Sequence, residues 1–305
     1  QDAMLERFLV AHLAGGHLLL EGDPGLAKTL TIKTLADVLH ASFRRIQFTP
    51  DLVPADLVGT RIYRADQGTF DTELGPVFCN FLLADEINRA PAKVQSALLE
   101  VMQERQVTIG RESHPVPRPF LVMATQNPIE SEGTYPLPEA QVDRFMMKVV
   151  VGYPTAGEEA VVVERSLRSG AEVTPILTAE GLTELQSLTR EVYVDRTIVD
   201  YAVALTAATR APEQVGLPKV KPYIAFGASP RGSINLVHAA RALAVVRGRR
   251  YVLPTDVTEL AHDVLRHRIV PSFTALAEEV SADMILDRLI PAVPEPRLTA
   301  RELSA

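Results

Sequence analysis

A glycine-rich turn between an apolar run and an amphipathic stretch is the feature that most constrains this fold. The chain reads HLLLE at 17–21, GDPGLAKT at 22–29 and then TLTIKTLADVLH at 29–40, whose apolar residues have helical spacing. A strand, a glycine turn and a helix N-terminus bring unpaired backbone N–H groups and the positive end of the helix dipole together. The stretch therefore predicts a phosphate cradle at a strand-to-helix junction.

The types of residue in this turn predict separate roles. Lys28 is expected to reach the β- and γ-phosphates, and the Thr29 hydroxyl is expected to ligate Mg²⁺. Ala27 stands where the usual pattern has glycine, but alanine still permits a helical backbone, so the departure is mild. The predicted nucleotide contacts are Gly22, Asp23, Pro24, Gly25, Leu26, Ala27, Lys28, Thr29 and Leu30.

A second motif follows at FLLADE, residues 81–86, an apolar strand that ends in two acids. Asp85 is expected to hold Mg²⁺ through water, and Glu86 to polarise the attacking water. The two motifs together predict a site for ATP and Mg²⁺. In MATQNP, residues 123–128, Asn127 or, with less support, Thr125 is placed to orient that water or to sense the γ-phosphate. The local alternative for Asn127 is a cap on the turn before proline.

The order of patterns predicts two domains. Short apolar runs at 17–21, 43–48, 80–86, 120–126 and 146–153 alternate with helical patterns, which indicates an α/β fold with a parallel sheet between helices. After Pro154 the patterns are helical, so the second half is predicted to be mainly α. The predicted division is therefore 1–153 for the αβα core and 154–305 for the helical domain.

Composition limits the classes of function. A single cysteine, Cys79, excludes an internal disulfide and a multi-cysteine metal cluster, and we interpret it as a small buried residue. The apolar runs are short and broken by charges, so we expect no membrane span and a cytoplasmic protein. The net charge of −7 disfavours non-specific nucleic-acid binding, and we interpret the basic cluster RGRR at 247–250 as a solvated helix end.

Three long runs carry a family resemblance. LLADEINRAPAKVQSALLEVMQERQVT, ATQNPIESEGTYPLPEAQVDRF and GASPRGSINL resemble the MoxR family of AAA+ ATPases, in the branch that includes magnesium chelatase. GDPGLAKT is similar to the P-loop of that family, so Ala27 is interpreted as a family trait. The resemblance implies a AAA+ core with an insert in its second helix at 51–77, a hairpin before sensor 1 at 106–119, and an all-α lid.

The resemblance also implies site residues. Arg144 in QVDRF matches the arginine finger, which acts in trans on the neighbouring subunit; its local alternative is an ion pair with Asp143 or Glu139. Arg231 in SPRGS matches sensor 2, acting in cis or in trans, and Arg89 is a weaker candidate for an interface contact. In the insert, Tyr63 and Phe70 are expected either to contact the pore of a ring or to form a packed core.

The function implied by the resemblance is that of a Mg²⁺-dependent ATPase in a homo-oligomeric ring, with a hexamer expected. It would act as a chaperone that remodels or activates clients, sometimes inserting a metal cofactor, with a von Willebrand factor A domain protein as partner. A nucleic-acid translocase or helicase is one alternative, disfavoured by the acidic charge. A nucleotide-dependent regulatory switch is another, disfavoured by the presence of Glu86 and Arg144.

Overall fold

All five predicted apolar runs form strands of one sheet. The structure is a computed structural model that describes residues 2–22, 28–126, 133–153, 155–167 and 173–297. Its helices are α1 (Asp2–Ala14), α2 (Lys28–Val38), α3 (Pro54–Val58), α4 (Ala92–Glu104), α5 (Glu139–Val142), α6 (Ala156–Ser166), α7 (Ala179–Glu191), α8 (Arg196–Ala208), α9 (Pro230–Val246), α10 (Pro254–Leu265), α11 (Phe273–Ala277) and α12 (Ala282–Ala292). Its strands are β1 (Leu18–Gly22), β2 (Phe43–Gln47), β3 (Gly59–Arg64), β4 (Thr69–Leu74), β5 (Phe81–Asp85), β6 (Gln106–Ile109), β7 (Glu112–Pro115), β8 (Leu121–Gln126), β9 (Met147–Val151), β10 (Ile224–Phe226) and β11 (Val270–Pro271).

The main sheet is parallel and has the strand order β2-β5-β8-β1-β9. Strands β5 and β8 are buried along almost their whole length, because helices cover both faces of the sheet. Strand β2 lies at one edge and exposes most of its side chains. Its register on β5 places Gln47 opposite Asp85, so the polar end of β2 meets the acidic end of the predicted second motif.

Two antiparallel hairpins interrupt the α/β order, one in the expected insert and one where the resemblance implies a hairpin. Strands β3 and β4 form the first, within 51–77, and β6 and β7 form the second, within 106–119. Gly59 begins β3 with φ of +100°, and a Cβ there would collide with the carbonyl oxygen of Glu73 on the partner strand. This glycine therefore allows the close approach at the base of the first hairpin.

Contacts divide the chain into two units, and the second consists of Leu5–Leu18, Pro138–Lys148 and Leu185–Ala305. In this unit α9 packs against both α8 and α10. Ser229 caps α9, because its Oγ accepts a hydrogen bond from the backbone N–H of Arg231. Helix α10 ends at Leu265, and a 3-10 turn, Arg266–Arg268, follows it.

The sequence patterns did not predict the last long helix, α12, or the short pair formed by β10 and β11. Helix α12 is capped by Ser281 and buries Ile285, Leu286, Leu289 and Ile290 in the second unit. Among the described residues, none of the helices combines the length and apolar character needed to cross a membrane.

Candidate active site

Three strands of the sheet end at its carboxyl edge in or next to residues of the predicted site. Strand β1 ends at Gly22, β5 at Asp85 and β8 at Gln126, and helix α2 begins at Lys28. In parallel sheets this edge is where ligands bind. The predicted residues Asp23–Ala27 and Asn127 lie outside the described residues. Lys28, Thr29 and Leu30 form the first turn of α2, and their side chains are likewise outside the description.

Gly22 has a packing reason to be glycine. A Cβ at this position would collide with the carbonyl oxygen of Val151 on β9. The backbone at the start of the predicted cradle therefore runs directly against the neighbouring strand, and any side chain would push the two apart.

Both oxygens of the Asp85 carboxylate have partners from neighbouring strands. The Thr125 hydroxyl, on β8, donates to Oδ1 at 2.6 Å. The Arg45 guanidinium, on β2, donates to Oδ2 through Nη2 at 2.6 Å and through Nε at 3.2 Å. Because charge-assisted hydrogen bonds of this kind are strong, the carboxylate is fixed between the two strands.

Glu86 lies in a left-handed backbone conformation, with φ of 55° and ψ of 51°. Such a conformation is unfavourable for a residue with a side chain and persists only where neighbours hold it. Here its N–H donates to Thr125 Oγ1 at 2.8 Å. Its carboxylate Oε2 accepts from Gln47 Nε2 at 2.8 Å and lies 3.0 Å from Arg89 Nε. Strands β2 and β8 therefore hold this residue on both sides.

A buried glutamine anchors the turn that follows Glu86. Gln95, on α4, is fully buried, and its Nε2 lies within hydrogen-bond distance of three carbonyl oxygens. These belong to Ile87 at 3.2 Å, Ala90 at 3.0 Å and Tyr135 at 2.9 Å. Because two of them are in or beside the 3-10 turn Ile87–Arg89, Gln95 stabilises the backbone that leaves the candidate catalytic glutamate.

Sequence reasoning missed Arg45 and Gln47 as parts of this site. A signal was present: the two are polar at alternate positions of a strand, so they share one face. What the sequence did not contain is the pairing of β2 with β5, which brings that face to the acids. Arg89 was predicted as a weaker interface candidate, and the structure shows it paired with Glu86 of its own chain.

The two remaining predicted arginines, Arg144 and Arg231, lie in the second unit. The Arg231 side chain is 46% exposed, and its Nη1 lies 3.7 Å from Asp143 Oδ2. Asp143 also accepts from Ser229 Oγ at 2.9 Å and forms an ion pair with Arg268, Nε to Oδ1 2.8 Å. The local alternative for Arg144, an ion pair with Asp143 or Glu139, is not formed among the described residues, and its role as a finger stays a prediction.

The aromatic residues of the first hairpin do not form a packed core. Tyr63 and Phe70 face each other across β3 and β4 with ring centroids 5.2 Å apart, and they are 57% and 60% exposed. The Arg61 guanidinium lies over the Phe70 ring at 4.9 Å from its centroid. The insert therefore presents an exposed aromatic pair with a cation on one ring.

The donor chemistry at the carboxyl edge fits a magnesium nucleotide. The Asp85 carboxylate at the end of β5 is an oxygen ligand of the kind that Mg²⁺ prefers. Among the described residues, no group of three or more histidine, cysteine, aspartate or glutamate side chains is arranged to hold a metal by itself.

Comparison with known proteins decides the family. Residues 17–147 match the family described as "ATPase family associated with various cellular activities (AAA)", and residues 219–289 match "AAA lid domain". The chain is 56% identical to Chaperone MoxR1 of Mycobacterium tuberculosis over 98% of this chain and 80% of that protein. The chain belongs to the MoxR family of AAA+ ATPases.

Other relatives of this MoxR-family chain agree. Protein MoxR of Paracoccus denitrificans is 34% identical over 96% of this chain and 90% of its own length. The crystal structure of a candidate ATPase from Cytophaga hutchinsonii superposes with a TM-score of 0.91 at 48% identity, covering 97% of this chain and 91% of that one. The predicted AAA+ core with its lid is thus confirmed, and the chain is a chaperone-like AAA+ ATPase that binds nucleotide.

Proposed function

We propose that this MoxR-family ATPase hydrolyses ATP with Mg²⁺ in a homo-oligomeric ring, with a hexamer expected, and uses the energy to remodel or activate client proteins in the cytoplasm. The observation that carries the proposal is the held pair of acids at the end of β5. Asp85 and Glu86 are fixed by hydrogen bonds from both adjacent strands, through Thr125 on one side and Gln47 on the other. Pre-organisation of this kind lowers the cost of reaching a reactive geometry.

Each residue of the proposed active site has its own role in binding or hydrolysis. When bound, Mg²⁺ neutralises developing charge on the phosphates. Gly22 to Leu30 would hold the phosphates, with Lys28 as the cation, while Thr29 and Asp85 would hold the ion. Glu86 would accept a proton from the attacking water, and Asn127 would orient that water.

Two arginines would complete the site. Arg144 is proposed to act in trans on the γ-phosphate of a neighbouring subunit, and Arg231 to contact the nucleotide from the lid. In support, the Arg231 guanidinium is accessible. We also propose that the domain boundary lies between residues 153 and 154. The first domain then carries Asp85 and Glu86, and the second is the lid.

The proposed partner is a protein with a von Willebrand factor A domain, which would direct the ATPase to its clients, including clients that receive a metal cofactor. The exposed pair Tyr63 and Phe70 is proposed as a contact surface for polypeptide in a ring. A nucleic-acid motor is less well supported, since two of the three arginines in the basic cluster at 247–250 pair with acids. Arg247 pairs with Glu259 at 2.7 Å, and Arg249 pairs with Asp256 at 2.5 Å.

Two substitutions test this proposal. Glu86→Gln should bind ATP normally but hydrolyse it slowly, and should accumulate as an ATP-bound oligomer in mass photometry. Arg144→Ala should also bind ATP and lose hydrolysis, because an arginine finger is worth roughly 10³–10⁵ in rate. The matched control is Arg196→Ala, an exposed arginine on α8 that pairs with Asp200 one helix turn away. Full hydrolysis by Glu86→Gln would refute the assignment of the catalytic base.

A further inference from the structure

Arg268 is fully buried at the end of the 3-10 turn after α10, and its guanidinium holds the segment that carries Arg144. Nη2 donates to the carbonyl oxygen of Phe145 at 2.7 Å and to that of Asp143 at 3.1 Å. Nη1 donates to the carbonyl oxygen of Met146 at 3.3 Å and to that of Val264. Three of these four acceptors lie in residues 143–146, and all belong to the second unit.

The charge at this position is retained. Burial lowers the pKa of Arg268 to about 10, and the Asp143 carboxylate opposes that shift, so the guanidinium is protonated at neutral pH. Its neighbour His267 is neutral, since burial and the Arg268 charge hold the His267 pKa well below its usual value. The ring nitrogen Nε2 of the neutral His267 lies 2.7 Å from Arg268 Nη1 and can accept a hydrogen bond from it.

The planar guanidinium of arginine suits the task of holding residues 143–146 better than the ammonium group of lysine would. A guanidinium presents five N–H groups, and here they are directed at several carbonyl oxygens and one carboxylate at once. An ammonium group can pair with Asp143 but cannot span the same acceptors. An arginine is almost never fully buried unless it is paired in this way.

Arg144 lies within the segment that these bonds fix. The carbonyl oxygens on both sides of it, those of Asp143 and Phe145, accept from the same guanidinium group of Arg268. The backbone N–H of Arg144 donates to the carbonyl oxygen of Gln141 at 3.1 Å. Its own side chain is left half-buried and makes no ion pair with Asp143 or Glu139 among the described residues.

We infer that Arg268 is a positioning residue for the Arg144 finger: it fixes the backbone from which Arg144 projects and does not itself contact nucleotide. This inference rests on the proposed function of Arg144. Misplacing a catalytic group by about 1 Å can cost roughly 100-fold in rate, so loss of the buried fork should lower kcat far more than nucleotide affinity. The competing account is that Arg268 only stabilises the fold.

The experiment compares Arg268→Met and Arg268→Lys with Arg249→Met. Arg249 is a matched control because it also forms a buried pair in the second unit, with Asp256, but contacts none of residues 143–146. We measure kcat, the Kd of a fluorescent ADP analogue, and Tm for each full-length protein. Arg268→Met should lose about 100-fold in kcat with Kd unchanged, and Arg268→Lys should lose about tenfold. Arg249→Met should lower Tm but keep kcat.

Oligomers mixed from two inactive variants distinguish a positioning role of Arg268 from a general loss of stability. In a mixed oligomer, Glu86→Gln subunits lack the base but offer an intact finger to Arg268→Met subunits, so activity should return in trans. Arg144→Ala mixed with Glu86→Gln should behave in the same way. If Arg144→Ala is rescued but Arg268→Met is not, Arg268 is structural and the inference is wrong. The same holds if Arg268→Met keeps full kcat.

Different results would refute the role of Arg144 as a finger and the role of Arg268 as its positioning residue. If Arg144→Ala alone retains full activity, the finger assignment itself is wrong, whatever Arg268 does. If Arg268→Met does not fold, Arg268→Lys carries the test, since it retains a cation beside Asp143. Full kcat in Arg268→Lys would then overturn the inference, and reduced kcat rescued by mixing would support it.

Discussion

Thr125→Val tests whether one hydroxyl holds both acids of the candidate site. The Thr125 side chain is buried, and its Oγ1 donates to Asp85 Oδ1 at 2.6 Å while accepting from the N–H of Glu86 at 2.8 Å. Valine has nearly the same shape but has neither a donor nor an acceptor. The substitution therefore removes two hydrogen bonds and leaves the packing of β8 almost unchanged.

The expected loss of stability follows from the two bonds. A hydrogen bond to a charged group is worth about 1.5–3 kcal/mol and one between neutral groups about 0.5–1.5 kcal/mol. The Asp85 side chain is still partly exposed, so water can replace some of the first bond. We expect the free energy of unfolding to fall by about 2–3 kcal/mol, and Tm to fall by roughly 4–10 °C.

Activity should fall more than stability alone explains. Without Thr125, the left-handed backbone of Glu86 loses a partner, and kcat should decrease by about 10–100-fold while nucleotide affinity changes little. Thr125→Ser keeps the hydroxyl and should retain most of the activity. The control is Thr206→Val, whose hydroxyl donates to the Ala202 carbonyl oxygen within its own helix. Equal effects of Thr125→Val and Thr206→Val on both Tm and kcat would refute the reasoning.

Three further predictions concern single residues. Gly22→Ala should destabilise the protein by about 1–3 kcal/mol in chemical denaturation, because its Cβ would collide with Val151, whereas Gly157→Ala has open space and should not. Lys28→Ala should abolish nucleotide binding in calorimetry, and unchanged affinity would refute the P-loop assignment. Burial lowers the His12 pKa from 6.5 to about 4, so the unfolded chain binds the additional proton between those values. Stability should therefore fall as pH drops below 6.5, by about 2 kcal/mol at pH 5 from this group, and His12→Leu should show a flatter profile.

Local patterns in the sequence were sufficient for much of the fold. Each apolar run formed a strand and residues 106–119 formed the predicted hairpin, because short buried strands and tight turns show clear local patterns. Residues 51–77 were expected only as an insert, and the hairpin of β3 and β4 within them was not predicted. Cys79 was interpreted as a buried residue; the structure confirms this, and burial raises its thiol pKa to about 12. Helix α12 was also detectable, since Ser281 precedes Ile285, Leu286 and Leu289 at helical spacing.

The side chains that position the site were not predictable in the same way. Arg45 meets Asp85 only because β2 pairs with β5, a choice of strand order that no local pattern contains. Arg268 is a charged residue beside two other basic residues, and composition alone favours an exposed position for it. Its burial depends on carbonyl oxygens more than 120 residues earlier in the chain.

The specific ATPase rate, measured with Mg²⁺ over a wide range of protein concentration, tests the central claim most directly. If Glu86 is completed by Arg144 of a neighbouring subunit, the rate per subunit should rise steeply as oligomers form and then reach a plateau. The same rise should be absent in Arg144→Ala at every concentration. A constant rate per subunit from the lowest concentration upward, in a protein shown to be monomeric there, would contradict the account.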